Sequence, residues 1–186
     1  MGVMGTVVTT TMTFEEFERL PDGPEDLELL EGELIEMPPP ERSHMVGAED
    51  LSRLLYARVE GLRQANLADE LGKVHLEMGY LLTGDPRSWL RPDVSITYPN
   101  QPGDKYYEGA PLMVFEVVSS EDRAGDLDRK VRQFLRHGAR EVWLIFPRTR
   151  HAYIYKPGVA AAIYEEHAIH SDLLPGIEIP FDQFLT

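Results

Sequence analysis

The run of residues 112–118, Leu-Met-Val-Phe-Glu-Val-Val, is the feature that most constrains the fold. Six of its seven residues are apolar, and such a run without alternation predicts a short strand that is buried on both faces. A sheet with a strand of this kind needs helices on both sides to exclude water. The exception is Glu116, because an ionised carboxylate there costs several kcal/mol unless it is paired or bound to a metal.

Patterns before this run predict two helices, a hairpin and two further strands. Thr13 and Glu16 form a capping box, so a short helix is expected to begin at Thr13. Residues 27–37 are typical of a hairpin or a bent strand pair around Glu31-Gly32, and a long helix is predicted over residues 43–66. Residues 74–82 then alternate between apolar and polar types, which predicts one half-buried strand.

The next strand is predicted over residues 90–98, where Pro92 favours an edge or the beginning of a strand. After the central run, a helix is predicted over residues 125–137 and a buried strand over residues 142–146. Two further short strands are expected between residues 152 and 164, with the turn at Pro157-Gly158.

This order of elements predicts an α/β (or α+β) fold with a mixed sheet flanked by helices. Short turns favour antiparallel pairing of the three central strands, over residues 74–82, 90–98 and 112–118, and the strand after the helix should return in parallel through a right-handed crossover. Residues 1–12 are expected to form a flexible N-terminus, and residues 13–186 a single domain.

Composition excludes several classes of function. The chain has no cysteine, so disulfides and thiolate metal sites are excluded, and His167 and His170 are interpreted as a surface pair rather than a zinc site. No apolar run reaches the roughly 20 residues that cross a bilayer, so a cytoplasmic location without membrane contact is expected. The net charge of −14 counts against tight, non-specific DNA binding, although residues 123–156 hold nine of the eighteen Lys and Arg.

Asp93, Glu116 and Lys130 are the candidates for chemistry. Neighbouring strands can bring the two carboxylates together as a site for a hard divalent cation, and Lys130 lies on the helix that follows. Two acids and a lysine suit the hydrolysis of phosphodiesters, in which metal and lysine stabilise the negative charge. The residues alone leave simpler alternatives open: Asp93 in a turn, Glu116 in a buried structural pair and Lys130 on the surface.

The chain resembles the Uma2 family of restriction endonucleases, within the PD-(D/E)XK nuclease superfamily. The resemblance runs from about residue 13 to residue 185 and depends on the order and spacing of several short motifs. These motifs are Leu29-Leu30-Glu31-Gly32-Glu33-Leu34, Met37-Pro38-Pro39, His44, Arg91-Pro92-Asp93-Val94, Glu116-Val117-Val118-Ser119, Asp126-Leu127 with Lys130, Gly138-Ala139-Arg140-Glu141-Val142-Trp143-Leu144, and Leu174-Pro175-Gly176.

The resemblance implies the restriction-endonuclease-like core of helix, three strands, helix and strand. It also implies a Mg²⁺ or Mn²⁺ cofactor held by Asp93, Glu116 and the backbone carbonyl of Val117. In the superfamily motif, the catalytic lysine stands at the position of Val118. Related families carry this lysine on the following helix instead, which makes Lys130 the candidate.

Two further residues, Glu28 and His44, match family positions that line the same site. The activity implied is that of a Mg²⁺-dependent endodeoxyribonuclease acting on DNA. A homodimer is a separate hypothesis drawn from two-strand cutting, in which each strand meets one site. Residues 120–123, Ser-Glu-Asp-Arg, depart from the family pattern, and their acids are expected to weaken substrate binding. A catalytically silent binding or regulatory domain, or a hydrolase of smaller phosphodiesters, are the alternatives.

Overall fold

The structure of the protein is a computed structural model that describes residues 11–21, 27–37, 39 and 41–185. The helices within these residues are α1 (Phe14–Phe17), α2 (Arg42–Gln64) and α3 (Ala124–Arg136), with a 3-10 helix at Phe181–Gln183. The strands are β1 (Leu27–Leu30), β2 (Glu33–Glu36), β3 (Val74–Leu76), β4 (Tyr80–Leu82), β5 (Ser88–Leu90), β6 (Val94–Ile96), β7 (Tyr107–Glu108), β8 (Met113–Val117), β9 (Glu141–Phe146), β10 (His151–Tyr155), β11 (Ile163–Glu165), β12 (Ala168–His170) and β13 (Glu178–Pro180).

The predicted central strand is β8, which lies inside a six-stranded sheet of order β11-β10-β9-β8-β6-β3. It pairs antiparallel with β6 and parallel with β9, so both predicted directions are confirmed. Every residue of β8 is buried, because α2 covers one face of the sheet and α3 covers the other. Phe115 packs on the α2 side, whereas Val114 packs on the α3 side. Glu116 therefore projects towards α3.

The two long strands predicted over residues 74–82 and 90–98 are wrong as continuous strands. Each is divided in two, so that β3 and β6 pair in the central sheet while β4 and β5 pair in a second sheet of order β2-β1-β5-β4-β7. The four strands form one bent hairpin that passes from one sheet to the other.

The bend has an identifiable cause on each side of the hairpin. Glu77 has a positive φ of 47°, and a Cβ on Gly79 would lie 2.5 Å from the Trp89 ring. On the other side, Pro92 has no N–H to donate to a ladder. The N–H of Glu77 donates to the carbonyl of Asp93 at 2.9 Å, which closes the hairpin across the bend. Asp93 is thereby placed at the junction of the two sheets.

Several local predictions are confirmed. Thr13 and Glu16 make both hydrogen bonds of the capping box, and β1 pairs with β2 as the predicted hairpin. The strands β10 and β11 pair antiparallel around the loop that contains Pro157-Gly158. The pair of β12 and β13 was not predicted. Although α2 is 23 residues long, it is too polar to span a bilayer, and the other described helices are shorter.

The predicted flexible N-terminus falls largely on residues 1–10, which lie outside the described residues, as do Pro38 and Pro40. Met12 is described, and its N–H donates to the carbonyl of Gly32 at 2.8 Å. His167 and His170 are both exposed.

Candidate active site

A cleft of about 1030 Å³ opens where the β1–β2 hairpin, the start of α2, the end of β8 and the first half of α3 meet. Asp93, Glu116, Val117, Lys130 and His44 all line it. Glu28 is fully buried beneath them. The fold therefore brings every candidate residue predicted from the sequence to one place.

Asp93 is held rigidly at the bend of the hairpin. Its Oδ2 accepts a hydrogen bond of 2.6 Å from the N–H of Val117, and its Oδ1 lies 3.0 Å from Nε2 of His44. Because Val94 pairs with Phe115, the carboxylate of Asp93 lies beside Glu116 on the neighbouring strand.

Glu116 is 7% exposed, and its Oε1 has no hydrogen-bond partner within the part of the chain that the structure describes. Burial raises the pKa of Glu116 well above its usual range, the Lys130 ammonium lowers it, and the carboxylates of Asp93, Glu28 and Asp122 raise it further. The protein alone thus stabilises the ionised form of this carboxylate poorly. An additional cation at Oε1 would correct this.

Lys130 is mostly buried on α3, so the default interpretation as a solvated surface residue is wrong. Its Nζ lies 2.5 Å from Oε2 of Glu28, and the other oxygen of Glu28 accepts the N–H of Arg91 at 2.8 Å. Glu28 therefore connects the lysine to the strand that precedes Asp93. Burial lowers the pKa of Lys130, but the carboxylates of Glu28, Glu116 and Asp93 outweigh it and raise the pKa above its usual value. These three carboxylates therefore favour the protonated, charged form of the lysine.

His44 lies in the first turn of α2 and faces the cleft rather than only beginning its helix. The hydrogen bond to Asp93 raises the pKa of His44, burial opposes this, and the charges of Asp93 and Asp122 and the carbonyl of Val117 support it. A histidine that bonds a metal-ligating carboxylate is a common means of fixing the orientation of that carboxylate.

The donor set suits a hard divalent cation. Two carboxylates and a backbone carbonyl supply only oxygen, which Mg²⁺ and Mn²⁺ accept readily, and the unpartnered Oε1 of Glu116 offers a free ligand atom. Among the described residues, no group of three His, Asp or Glu side chains has the arrangement of a metal site. A metal here would therefore depend on the Asp93 and Glu116 carboxylates, the Val117 carbonyl and water.

Two features of the cleft were missed or underestimated in the sequence. Arg129 donates to the carboxylate of Glu33 at 2.8 Å and to the carbonyl of Leu30 at 3.2 Å, which fixes the β1–β2 hairpin to α3. Nothing in the local sequence signals these contacts, since Arg129 lies nearly one hundred residues after both of its partners. The cleft is also acidic: nine Asp and Glu line it against three Lys and Arg. Glu121 and Asp122 are among the nine, as expected from residues 120–123.

The core of the chain follows the order helix, three strands, helix and strand. Two carboxylates and a lysine lie beside the bend of the hairpin. This arrangement defines a restriction-endonuclease-like fold. The family model for Uma2, described as "Putative restriction endonuclease", matches residues 14–182, and the chain belongs to this family. A structure from Anabaena variabilis ATCC 29413, described as a "putative nuclease belonging to DUF820", has the same fold. It matches with a TM-score of 0.72 and 18% identity over 94% of this chain and 97% of that chain. No curated protein is detectably similar to this chain.

Proposed function

We propose that the protein is a Mg²⁺- or Mn²⁺-dependent endonuclease that hydrolyses phosphodiester bonds of DNA. The observation that carries the proposal is the buried Glu116 carboxylate, whose Oε1 has no hydrogen-bond partner among the described residues and which lines a cleft together with Asp93 and Lys130. The nuclease family of the chain supports the reaction type. The metal, the DNA substrate and the roles of the residues are the proposed parts.

Asp93, Glu116 and the carbonyl of Val117 would hold the cation. When bound, the cation would polarise the phosphate and lower the pKa of a water molecule beside it. His44 keeps the Asp93 carboxylate in position through the hydrogen bond at Oδ1, and the Val117 N–H does the same at Oδ2.

Lys130 would stabilise the negative charge that accumulates on the phosphate as the attacking oxygen approaches. It is suited to this role because a fixed cation in a site of low dielectric needs no reorganisation during the reaction. Glu28 is proposed as a positioning residue: it is fully buried, does not line the cleft, and holds the ammonium of Lys130 at 2.5 Å.

Two parts of the proposal come from the sequence and the reaction alone. Cutting both strands of a duplex favours a homodimer, in which each protomer supplies one site. A cytoplasmic location gives access to DNA. Size-exclusion chromatography with light scattering tests the dimer, and a monomer that cuts duplex DNA would exclude it.

A second candidate function is the hydrolysis of a smaller phosphodiester. The observation that favours it is the excess of nine acids over three Lys and Arg in the cleft, since a long polyanion is repelled by such a surface. A catalytically silent module that keeps the fold would also tolerate the acidic cleft, but it does not explain why the buried Oε1 of Glu116 has no partner among the described residues.

The test is cleavage of supercoiled plasmid and of bis(p-nitrophenyl) phosphate by the wild type and by Asp93→Asn and Glu116→Gln. Glu121→Gln is the matched control, because Glu121 lines the same cleft and is not one of the proposed ligands. We expect Mg²⁺-dependent plasmid cleavage that falls by about 10²-fold or more in both site variants and persists in the control. Cleavage of the small ester alone would support the second candidate. Activity that persists in both site variants would exclude the proposed site.

A further inference from the structure

Four aromatic side chains form a row on the face of the central sheet that α3 only partly covers. Phe146 on β9 stacks on His151 on β10, with ring centroids 4.8 Å apart and planes 12° apart. Tyr153 contacts both rings edge-on, and Tyr164 on β11 lies 5.2 Å from His151 and 5.6 Å from Tyr153. Tyr164 is 50% exposed, so one end of the row presents an open aromatic surface to solvent.

The row is continuous with the candidate active site. Phe146 belongs to the same apolar cluster as Val118 and Leu127, and both of these residues line the cleft. The N–H of Val118 donates to the carbonyl of Ile145 at 2.7 Å, which places the end of β8 directly beside Phe146. Three inter-strand spacings of about 4.8 Å separate β8 from β11, so the row extends roughly 15 Å from the cleft.

The charge around the row differs from that of the rest of the molecule. Residues 142–164 contain Arg148, Arg150 and Lys156 and no acid, in a chain of net charge −14, and two glutamates follow at 165 and 166. Lys156 is paired with Glu141 at 2.8 Å, so the arginines are the cations considered for a ligand. Arg148 and Arg150 are exposed at the turn between Phe146 and His151. The Tyr164 hydroxyl donates to the carboxylate of Glu166 at 3.1 Å, so the cations lie at the Phe146–His151 end of the row and the acid at the Tyr164 end. Aromatic rings beside exposed cations suit a nucleic-acid strand, because its bases stack on the rings while its phosphates meet the cations.

We propose that this row, Phe146, His151, Tyr153 and Tyr164, binds unpaired bases of the DNA strand whose phosphodiester lies in the cleft. The inference rests on the proposed function and narrows its substrate to single-stranded DNA or to DNA with an unpaired end. In a continuous duplex the faces of the bases are already stacked on their neighbours and cannot meet the rings. Stacking also depends little on charge, which explains how an acidic protein retains a DNA strand.

The test is fluorescence anisotropy without divalent metal, using a labelled mixed-sequence DNA oligonucleotide, either single-stranded or annealed to its complement. We expect tighter binding of the single strand by the wild type and an approximately tenfold loss of its affinity in Tyr164→Ala. Tyr164→Phe should keep the affinity, because the ring remains. Tyr56→Ala is the matched control, since Tyr56 is 59% exposed on α2, at the opposite face of the sheet. Circular dichroism checks that both alanine variants fold.

Equal or tighter binding of the duplex, no binding of the single strand, or an unchanged affinity in Tyr164→Ala would each overturn the inference. Cleavage with Mg²⁺ separates the two proposals. Duplex cleavage that is independent of Tyr164 would overturn the aromatic row and leave the nuclease. Tyr164-dependent binding of single strands without any cleavage would leave the row and overturn the nuclease.

Discussion

Glu116 and Glu141 are both buried on neighbouring parallel strands of the central sheet, yet their surroundings differ. Glu141 is 2% exposed, and its carboxylate accepts from Trp143 Nε1 and Ser171 Oγ at 2.9 Å each and lies 2.8 Å from Lys156 Nζ. Glu116 is almost as buried, but its Oε1 has no partner among the described residues. A buried acid with all its partners present supports the fold, whereas one that lacks a partner indicates a ligand supplied from outside.

The largest effect on stability is expected at the satisfied acid. Glu141→Leu leaves the Trp143 N–H, the Ser171 hydroxyl and the Lys156 ammonium without their acceptor, and should lower the free energy of unfolding by roughly 3 kcal/mol. Urea unfolding followed by tryptophan fluorescence measures it. A loss below about 1 kcal/mol would remove the contrast between the two acids.

The next effect concerns the positioning of Lys130. Glu28→Gln keeps an acceptor for the Arg91 N–H but removes the charge that holds the lysine, so kcat should fall about tenfold while KM changes little. Because Glu28 acts only through Lys130, combining Glu28→Gln with Lys130→Met should lose no more activity than Lys130→Met alone. Additive losses would show that Glu28 acts on its own.

A smaller effect is expected when the unsatisfied acid is neutralised. Glu116→Gln removes a poorly compensated buried charge, so without metal the free energy of unfolding should stay within about 1 kcal/mol of the wild type or increase. The same urea titration measures it. A loss as large as that of Glu141→Leu would place Glu116 in a structural network and weaken the case for a ligand.

The smallest predicted change is at the rim of the cleft. Glu121→Gln removes one negative charge from a cleft that carries nine acids, so DNA should bind a few-fold more tightly at low salt, and the gain should fade as salt rises. Fluorescence anisotropy at two salt concentrations measures it. An unchanged affinity would mean that DNA does not approach this rim.

The sequence was sufficient for most elements and for the identity of the proposed ligands. The capping box at Thr13 and the run around Glu116 act locally, and the pattern alone predicts their structure. An acid inside an apolar strand is also visible without a structure. Asp93 and Glu116 were therefore predictable as candidates, and the strand pairing that brings them together followed from the order of elements.

The bend of the hairpin and the contacts of Glu28 could not be predicted in this way. Alternation of apolar and polar residues continues through residues 74–82, although the chain changes sheets at Glu77–Gly79, because the contact of Gly79 with the Trp89 ring leaves no periodic signal. Glu28 and Lys130 lie far apart in sequence, and only the folded chain shows that they pair. Long-range polar contacts of this kind depend on tertiary packing.

The most direct test of the account is calorimetric titration with Mn²⁺ of the wild type, Asp93→Asn, Glu116→Gln and the control Glu121→Gln. The account predicts binding by the wild type and by Glu121→Gln, and loss of that binding in Asp93→Asn and Glu116→Gln. No binding by the wild type at millimolar Mn²⁺, or binding that Glu116→Gln retains, would contradict the central claim that the carboxylate of Glu116 is a metal ligand.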